Sequence, residues 1–278
     1  MVAKLRLCAV SYLNAAPLVW GMSHGPQKGL FDLRFALPSA CADQLRCGAA
    51  DVGLVPVIEL ARQPDLVVVP GSAIACQGSV RSILLVSKKP LDLIESFAAD
   101  TGSRTSVVLA QVIAAQKGGI RPQVRPYPPR LDEMLEIADA ALIIGDHALR
   151  IDPSMEKWRD WPVYVYDLGT EWEDMTGLPM VFAVWAVKNL ADPDGLAEAL
   201  ADSAAYGLGR IDEIVDHETA RLGLAPAVVR RYLTRNVSYD FGRRERESTS
   251  VFLRLAAELG LADALMDVRF LRDSLVSR

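Results

Sequence analysis

Short apolar runs alternate with longer stretches of helical periodicity through most of the chain. Residues 5–10, 33–37, 51–55 and 66–69 are predicted strands, and 82–86 is a continuous apolar run of the kind buried on both faces. Between them, residues 39–47 are a predicted helix, with Ser39 as N-cap and Gly48 as stop. Residues 57–62 form a second, shorter helix. After Ser87-Lys88-Lys89-Pro90 the cycle restarts. Residues 91–100 look helical until Gly102. Residues 107–117 carry apolar positions at helical spacing and end at Gly118-Gly119. Strands at 124–127, 140–144, 163–168 and 180–187 follow, with a helix at 131–138 between the first two. From Leu190 onward the pattern is helical almost throughout.

Such alternation implies βαβ units and mostly parallel sheets flanked by helices. A chain of 278 residues suits two lobes. We expect an α/β protein with a discontinuous first lobe, residues 1–86 plus 188–278. The second lobe, residues 87–187, is inserted, and a ligand cleft lies between the two.

Composition narrows the functional classes. Hydrophobic residues make up 51% and charged residues 23%, as in ordinary globular proteins, and the net charge is −5. No basic stripe invites nucleic acid. Arg243, Arg244 and Arg246 alternate with Glu245 and Glu247, which reads as a solvated helix face. Lys4 and Arg6 precede an apolar run that stops at Ser11, too short for a signal peptide. Nothing approaches the roughly 18 apolar residues of a membrane span. The four cysteines, Cys8, Cys41, Cys47 and Cys76, lack Cys-x-x-Cys spacing, so they read as reduced, mostly buried thiols of a cytoplasmic protein. His24, His147 and His217 form no metal pattern, and no phosphate loop or nucleophile elbow is present. No metal or cofactor is expected.

In open α/β sheets ligands sit beyond the carboxyl ends of strands. Ser11 and Asn14 follow the first strand, with Pro17 placed for the first turn of a helix; either binds a ligand or caps that helix. Ser39 follows the second strand, and Val55 with Pro56 closes the third. Ser79, Arg81 and Ser82 precede the run at 82–86. Arg81 offers a planar fork suited to a carboxylate, or to a structural salt bridge. Ser103, Thr105 and Ser106 sit at the start of a helix, a natural anion seat, while Arg104 is expected to face solvent. Gly145 and Asp146 end a buried strand. Asp146 suits a substrate hydroxyl or a helix cap, and His147 an acid–base or a structural role. From the residues alone, the chain binds a small anionic metabolite.

Eight segments, in order, resemble one family. They are residues 10–18 (VSYLNAAPL), 51–56 (DVGLVP), 79–82 (SVRS), 103–106 (SRTS), 141–146 (ALIIGD), 167–172 (DLGTEW), 176–179 (TGLP) and 182–185 (FAVW). Together they are similar to the chorismate dehydratases of the futalosine route to menaquinone. The resemblance implies a type II periplasmic-binding-protein-like fold turned into a metal-free enzyme. It implies loss of water from chorismate to give 3-[(1-carboxyvinyl)oxy]benzoate, with Asn14 and Ser82 steadying the reacting groups. Arg81 and the 103–106 turn would hold a carboxylate or nearby backbone. The substrate's own enolpyruvyl carboxylate would take the proton. A homodimer is compatible with this reading. The alternatives are the sister enzyme dihydroxynaphthoate synthase, a solute-binding protein and a ligand-sensing regulator. Tyr12, Phe182, Trp172 and Trp185 line the cleft or fill cores, with core preferred for the two tryptophans.

Overall fold

The computed structural model describes residues 4–159, 161–188, 195–264 and 267–271. Leu190, where the helical tail is expected to begin, lies outside the described residues.

The first sheet has six strands: β1 (Arg6–Val10), β2 (Asp32–Ala36), β3 (Val52–Pro56), β4 (Leu66–Cys76), β12 (Met180–Lys188) and β13 (Ser238–Phe241), in the order β13-β4-β12-β3-β1-β2. The second has five: β5 (Ile83–Ser87), β6 (Ser96–Asp100), β7 (Gln123–Tyr127), β8 (Ala140–Ile144) and β11 (Tyr164–Asp167), in the order β11-β5-β8-β6-β7. A small hairpin joins β9 (Lys157–Trp158) to β10 (Trp161–Pro162). Helices α1 (Ala16–His24), α2 (Pro38–Arg46) and α3 (Glu59–Arg62) belong to the first lobe. Helices α4 (Thr105–Gly118), α5 (Leu131–Ile137), α6 (Gly145–Ala148) and α7 (Leu168–Thr176) belong to the second. The tail adds α8 (Leu196–Leu208), α9 (Ile211–Leu222), α10 (Pro226–Arg231) and α11 (Arg243–Glu258).

Both sheets are mixed, where mostly parallel sheets are expected from sequence. In the first, β1 runs parallel to β2 and β3, but β12 runs antiparallel to β3 and β4. In the second, β6 is parallel to β7 and β8, while β5 is antiparallel to β8 and β11. The cause is connectivity. The chain leaves the first sheet after β4 and returns to it on β12, which wedges between β3 and β4. The expected lobe limits, 86/87 and 187/188, therefore shift by one strand at each crossing: β5 belongs to the second sheet and β12 to the first.

Packing explains why the strands sit where they do. β3, β5 and β8 are buried along their whole length, as central strands must be. On β5, Leu84 and Val86 join the small core under α5, whereas Ile83 and Leu85 join the large core shared with α4. The period of two thus divides one strand between two faces. Residues 91–100 are not a helix: a 3-10 turn spans Leu91–Leu93 and β6 follows. Phe97, Ala98 and Ala99 are buried between β7 and β8, and a run buried on both faces carries no strand alternation to read. Trp172 and Trp185 are core residues, 0% and 1% exposed.

Helix α2 begins at Pro38, with Leu37 rather than Ser39 as N-cap. The tail is not wholly helical, because β13 pairs with β4. Its α8 docks closely on α1. The Ser203 hydroxyl donates to the Leu18 carbonyl (2.9 Å) and accepts from the Met22 N–H (3.2 Å). A Cβ on Gly207 would stand 2.1 Å from the Pro17 carbonyl oxygen.

Candidate active site

The two lobes meet across a cleft lined by strand ends and helix starts. Val10 and Tyr12 come from the end of β1, and Asn14 from the 3-10 turn Leu13–Ala15 that precedes α1. Pro38, Pro56, Ile74, Phe182 and Ala183 complete the first-lobe wall. The second lobe supplies Ser82 and Ile83 before and in β5, Ser103, Arg104, Thr105 and Ser106 at the start of α4, and Ile144 with Gly145 after β8. About 50 Å³ of free space remains, enough for a few waters, so the lobes stand closed.

Of the sequence-predicted residues, Asn14, Pro56, Ser82, Ser103, Thr105, Ser106 and Gly145 converge on this cleft. Ser82 is 1% exposed, and its carbonyl accepts from the Gly145 N–H at 2.8 Å. Gly145 has φ +60°, and a Cβ there would lie 2.7 Å from the Tyr12 ring. Glycine is needed both for the backbone and for the close approach of Tyr12. The Thr105 hydroxyl donates to the Phe182 carbonyl (3.1 Å) and accepts from the Ile58 N–H (3.4 Å), so it fastens α4 to the first lobe. No side chain caps α4, which leaves the N–H groups of its first turn for an anion.

The other predicted residues do different work. Arg81 does not reach the cleft. It sits at φ +66° and its guanidinium donates to the carbonyls of Ala148 (3.0 Å), Leu149 (3.3 Å) and Ile151, locking the end of α6. Ser79 donates to Asp167 at 2.8 Å. Asp167 also accepts from the Val80 and Arg81 N–H groups and caps α7. Ser39 ties the lobes through the Gly102 and Thr101 carbonyls. Val55 is fully buried in the sheet behind Pro56. Ser11 lines a separate cavity beside Trp20, His24 and Arg221. Asp146 neither caps α6 nor lines the cleft: it accepts from the Leu13 N–H (2.9 Å) and pairs with Arg221 (3.5 Å). Burial pushes its carboxyl above the usual carboxylate range. His147 is exposed.

Two features escape the sequence reading. Arg104 lines the cleft rather than facing solvent, and pairs with Asp43 (2.8 Å) and the fully buried Glu59 (3.1 Å). Tyr232, from the tail, is 2% exposed and donates to the Ser82 Oγ at 2.7 Å. Asn14 lies close enough to the Tyr232 hydroxyl to lower its pKa. Burial holds this phenol well above its ordinary pKa, so it stays protonated. Nothing in its local sequence distinguishes Tyr232 from a helix core residue. Among the described residues, no three His, Cys, Asp or Glu side chains gather as metal ligands. The cleft thus presents amide, hydroxyl and helix N–H groups plus one guanidinium, a set suited to a carboxylated, hydroxylated ligand.

Residues 5–258 match the model of the menaquinone biosynthesis family. The chain is 32% identical over 267 residues to the chorismate dehydratase of Thermus thermophilus, covering 92% of this chain and 95% of that protein. Among solved structures, it resembles a protein of Archaeoglobus fulgidus with a TM-score of 0.70 at 16% identity, over 93% and 98% of the two chains. It resembles the periplasmic aliphatic sulphonate binding protein of Escherichia coli with a TM-score of 0.60 at 15% identity, over 93% and 88%. These two likenesses show a two-lobed periplasmic-binding-protein-like fold. With a sequence match along nearly the whole chain, the protein belongs to the menaquinone biosynthesis family.

Proposed function

We propose that this protein is a chorismate dehydratase, a hydro-lyase that removes water from chorismate to give 3-[(1-carboxyvinyl)oxy]benzoate in the futalosine route to menaquinone. The observation that carries the reading is the convergence of Asn14, Ser82 and the uncapped start of α4 on one closed cleft, in a chain 32% identical to a chorismate dehydratase. No helix of the described residues is long and apolar enough to cross a membrane. The four cysteines are free thiols, which supports work in the reducing cytoplasm.

The chemistry asks for orientation more than for a strong base. The C–H bond at the ether-bearing ring carbon breaks, and its electrons form the last ring double bond. The neighbouring C–O bond breaks, and the departing hydroxide ends with the released proton as water. Aromatisation drives the step. The substrate's enolpyruvyl carboxylate takes the ring proton, Asn14 and Ser82 hold the departing hydroxyl, and α4 with Arg104 holds a carboxylate. The ring carboxylate, seated on the 103–106 turn, then lies across the ring from the leaving hydroxyl. Such positioning and hydrogen bonding can lower the barrier by several kcal/mol.

The test is to incubate chelator-treated protein with chorismate and follow products by chromatography and mass. We expect catalytic formation of a product lighter by one water. Asn14→Ala and Ser82→Ala should each lower kcat by roughly 100-fold with little change in Tm. Unchanged chorismate in the presence of folded wild-type protein overturns the reading.

A further inference from the structure

We infer that Tyr232 is a positioning residue that fixes the direction in which Ser82 offers its proton to the substrate, an inference that rests on the dehydratase reading above. Tyr232 lies 150 residues from Ser82 in sequence, yet donates to its Oγ at 2.7 Å. A phenol carries one proton. With that proton on Ser82, the Tyr232 oxygen can engage its neighbour Asn14 only as an acceptor of the amide N–H. The donation therefore runs from Tyr232 to Ser82.

Two consequences follow at the cleft surface. Ser82 has accepted from Tyr232, so its own proton is directed to the ligand. The Asn14 Oδ1 is buried with no partner. The cleft thus presents one fixed donor and one fixed acceptor side by side. A hydroxyl that donates to Asn14 Oδ1 and accepts from Ser82 satisfies both, and the hydrogen bond from Ser82 strengthens as that oxygen gains charge on leaving.

The tail is built to hold this orientation. Tyr232 opens a π-helical turn, Tyr232–Asn236, which widens the spacing after α10. At the end of the turn, the Asn236 amide donates to the Ser79 carbonyl at 2.9 Å. The turn is therefore pinned to the 79–82 segment at two points.

The experiment measures kcat and KM for chorismate in wild type, Tyr232→Phe, Ser82→Ala and the double variant, with Tm as a folding control. We expect Tyr232→Phe to lower kcat by about 10- to 100-fold, with KM within about 3-fold. In the Ser82→Ala background the same change should cost less than about 3-fold, because the tyrosine acts through the serine. Replacing Tyr232 with 4-aminophenylalanine, which restores a donor, should recover most of the rate and serves if the phenylalanine variant does not fold. Equal losses in both backgrounds, or wild-type turnover in Tyr232→Phe, would overturn the inference while leaving the dehydratase reading intact. Absence of product from folded wild type would overturn both.

Discussion

Asp100 ends β6 with its side chain 2% exposed. Its Oδ1 accepts the Gly102 N–H at 2.8 Å, but its Oδ2 is buried without a partner. Burial raises its pKa from the ordinary 3.8. A raised carboxyl binds more protons folded than unfolded, so its contribution to stability is complete below about pH 4 and is lost as pH rises through the folded value. Asp100→Asn keeps the acceptor and removes the buried charge. We expect it to raise Tm by roughly 2–4 °C at pH 7.5, with the difference from wild type vanishing near pH 4. A constant difference across that range would refute the assignment. At this scale the cleft position of Asn14 was legible, because it follows the carboxyl end of β1, whereas Ser82 precedes β5 and was singled out only as a hydroxyl in the turn before it. Arg81 and Asp146 were legible only as polar residues near strand ends. Residue type does not say that the Arg81 fork meets three carbonyls, nor that Asp146 meets the Leu13 N–H. Tyr232 was not legible, because its partner is distant in sequence.

Helices α1 and α8 meet at an interface of small residues. Gly207 presents a backbone edge to the Pro17 carbonyl, and Gly21 does the same to Ser203. Gly207→Ala gains up to about 1 kcal/mol of helix propensity, but its Cβ would lie 2.1 Å from the Pro17 oxygen. Separating the two helices costs about 1–3 kcal/mol or more. We expect a net fall in Tm of several degrees, with kcat reduced as well because α1 carries the Asn14 turn. Gly209→Ala is the control: its nearest contact is 3.5 Å, and its φ of −73° suits any residue. Tm should hold or rise there. Periodicity revealed α2, α3, α4 and α5 to within about two residues, but it gave no bounds for α6, α7 or the separate helices of the tail. It missed β6, whose Ser96–Asp100 run is buried on both faces, and β13, whose four residues are too few for alternation to stand out.

The closed cleft sets a constraint on the whole molecule. As it stands the cleft leaves room for a few waters, and we expect the lobes to part about the two crossing segments, residues 77–82 and 177–179, to admit a ring with two carboxylates. Closure is held by Arg104 on Asp43 and Glu59, and by Arg221 and the Leu13 N–H on Asp146. We expect small-angle scattering to give a radius of gyration above the roughly 19 Å of a compact chain of this length without ligand. It should contract when a non-reacting benzoate ether is added. An unchanged radius would show that ligand enters without hinge motion. The two-lobed α/β plan was legible from the restart of the strand–helix cycle after Pro90. The allocation of β5 and β12 was not, because an apolar strand beside a crossing looks the same whichever sheet receives it.

The return of β12 has a consequence for synthesis. The second sheet draws all its strands from one continuous stretch, Ile83 to Asp167, and can be completed while the chain is still growing. The first sheet cannot, since β3 and β4 touch only through β12. At typical rates of ~5–20 residues per second, the stretch from Cys76 to Lys188 takes roughly 6–22 s to emerge. For that interval two apolar strands wait with open edges on the ribosome. The insertion that gives the molecule its cleft also makes the first sheet the last to be completed.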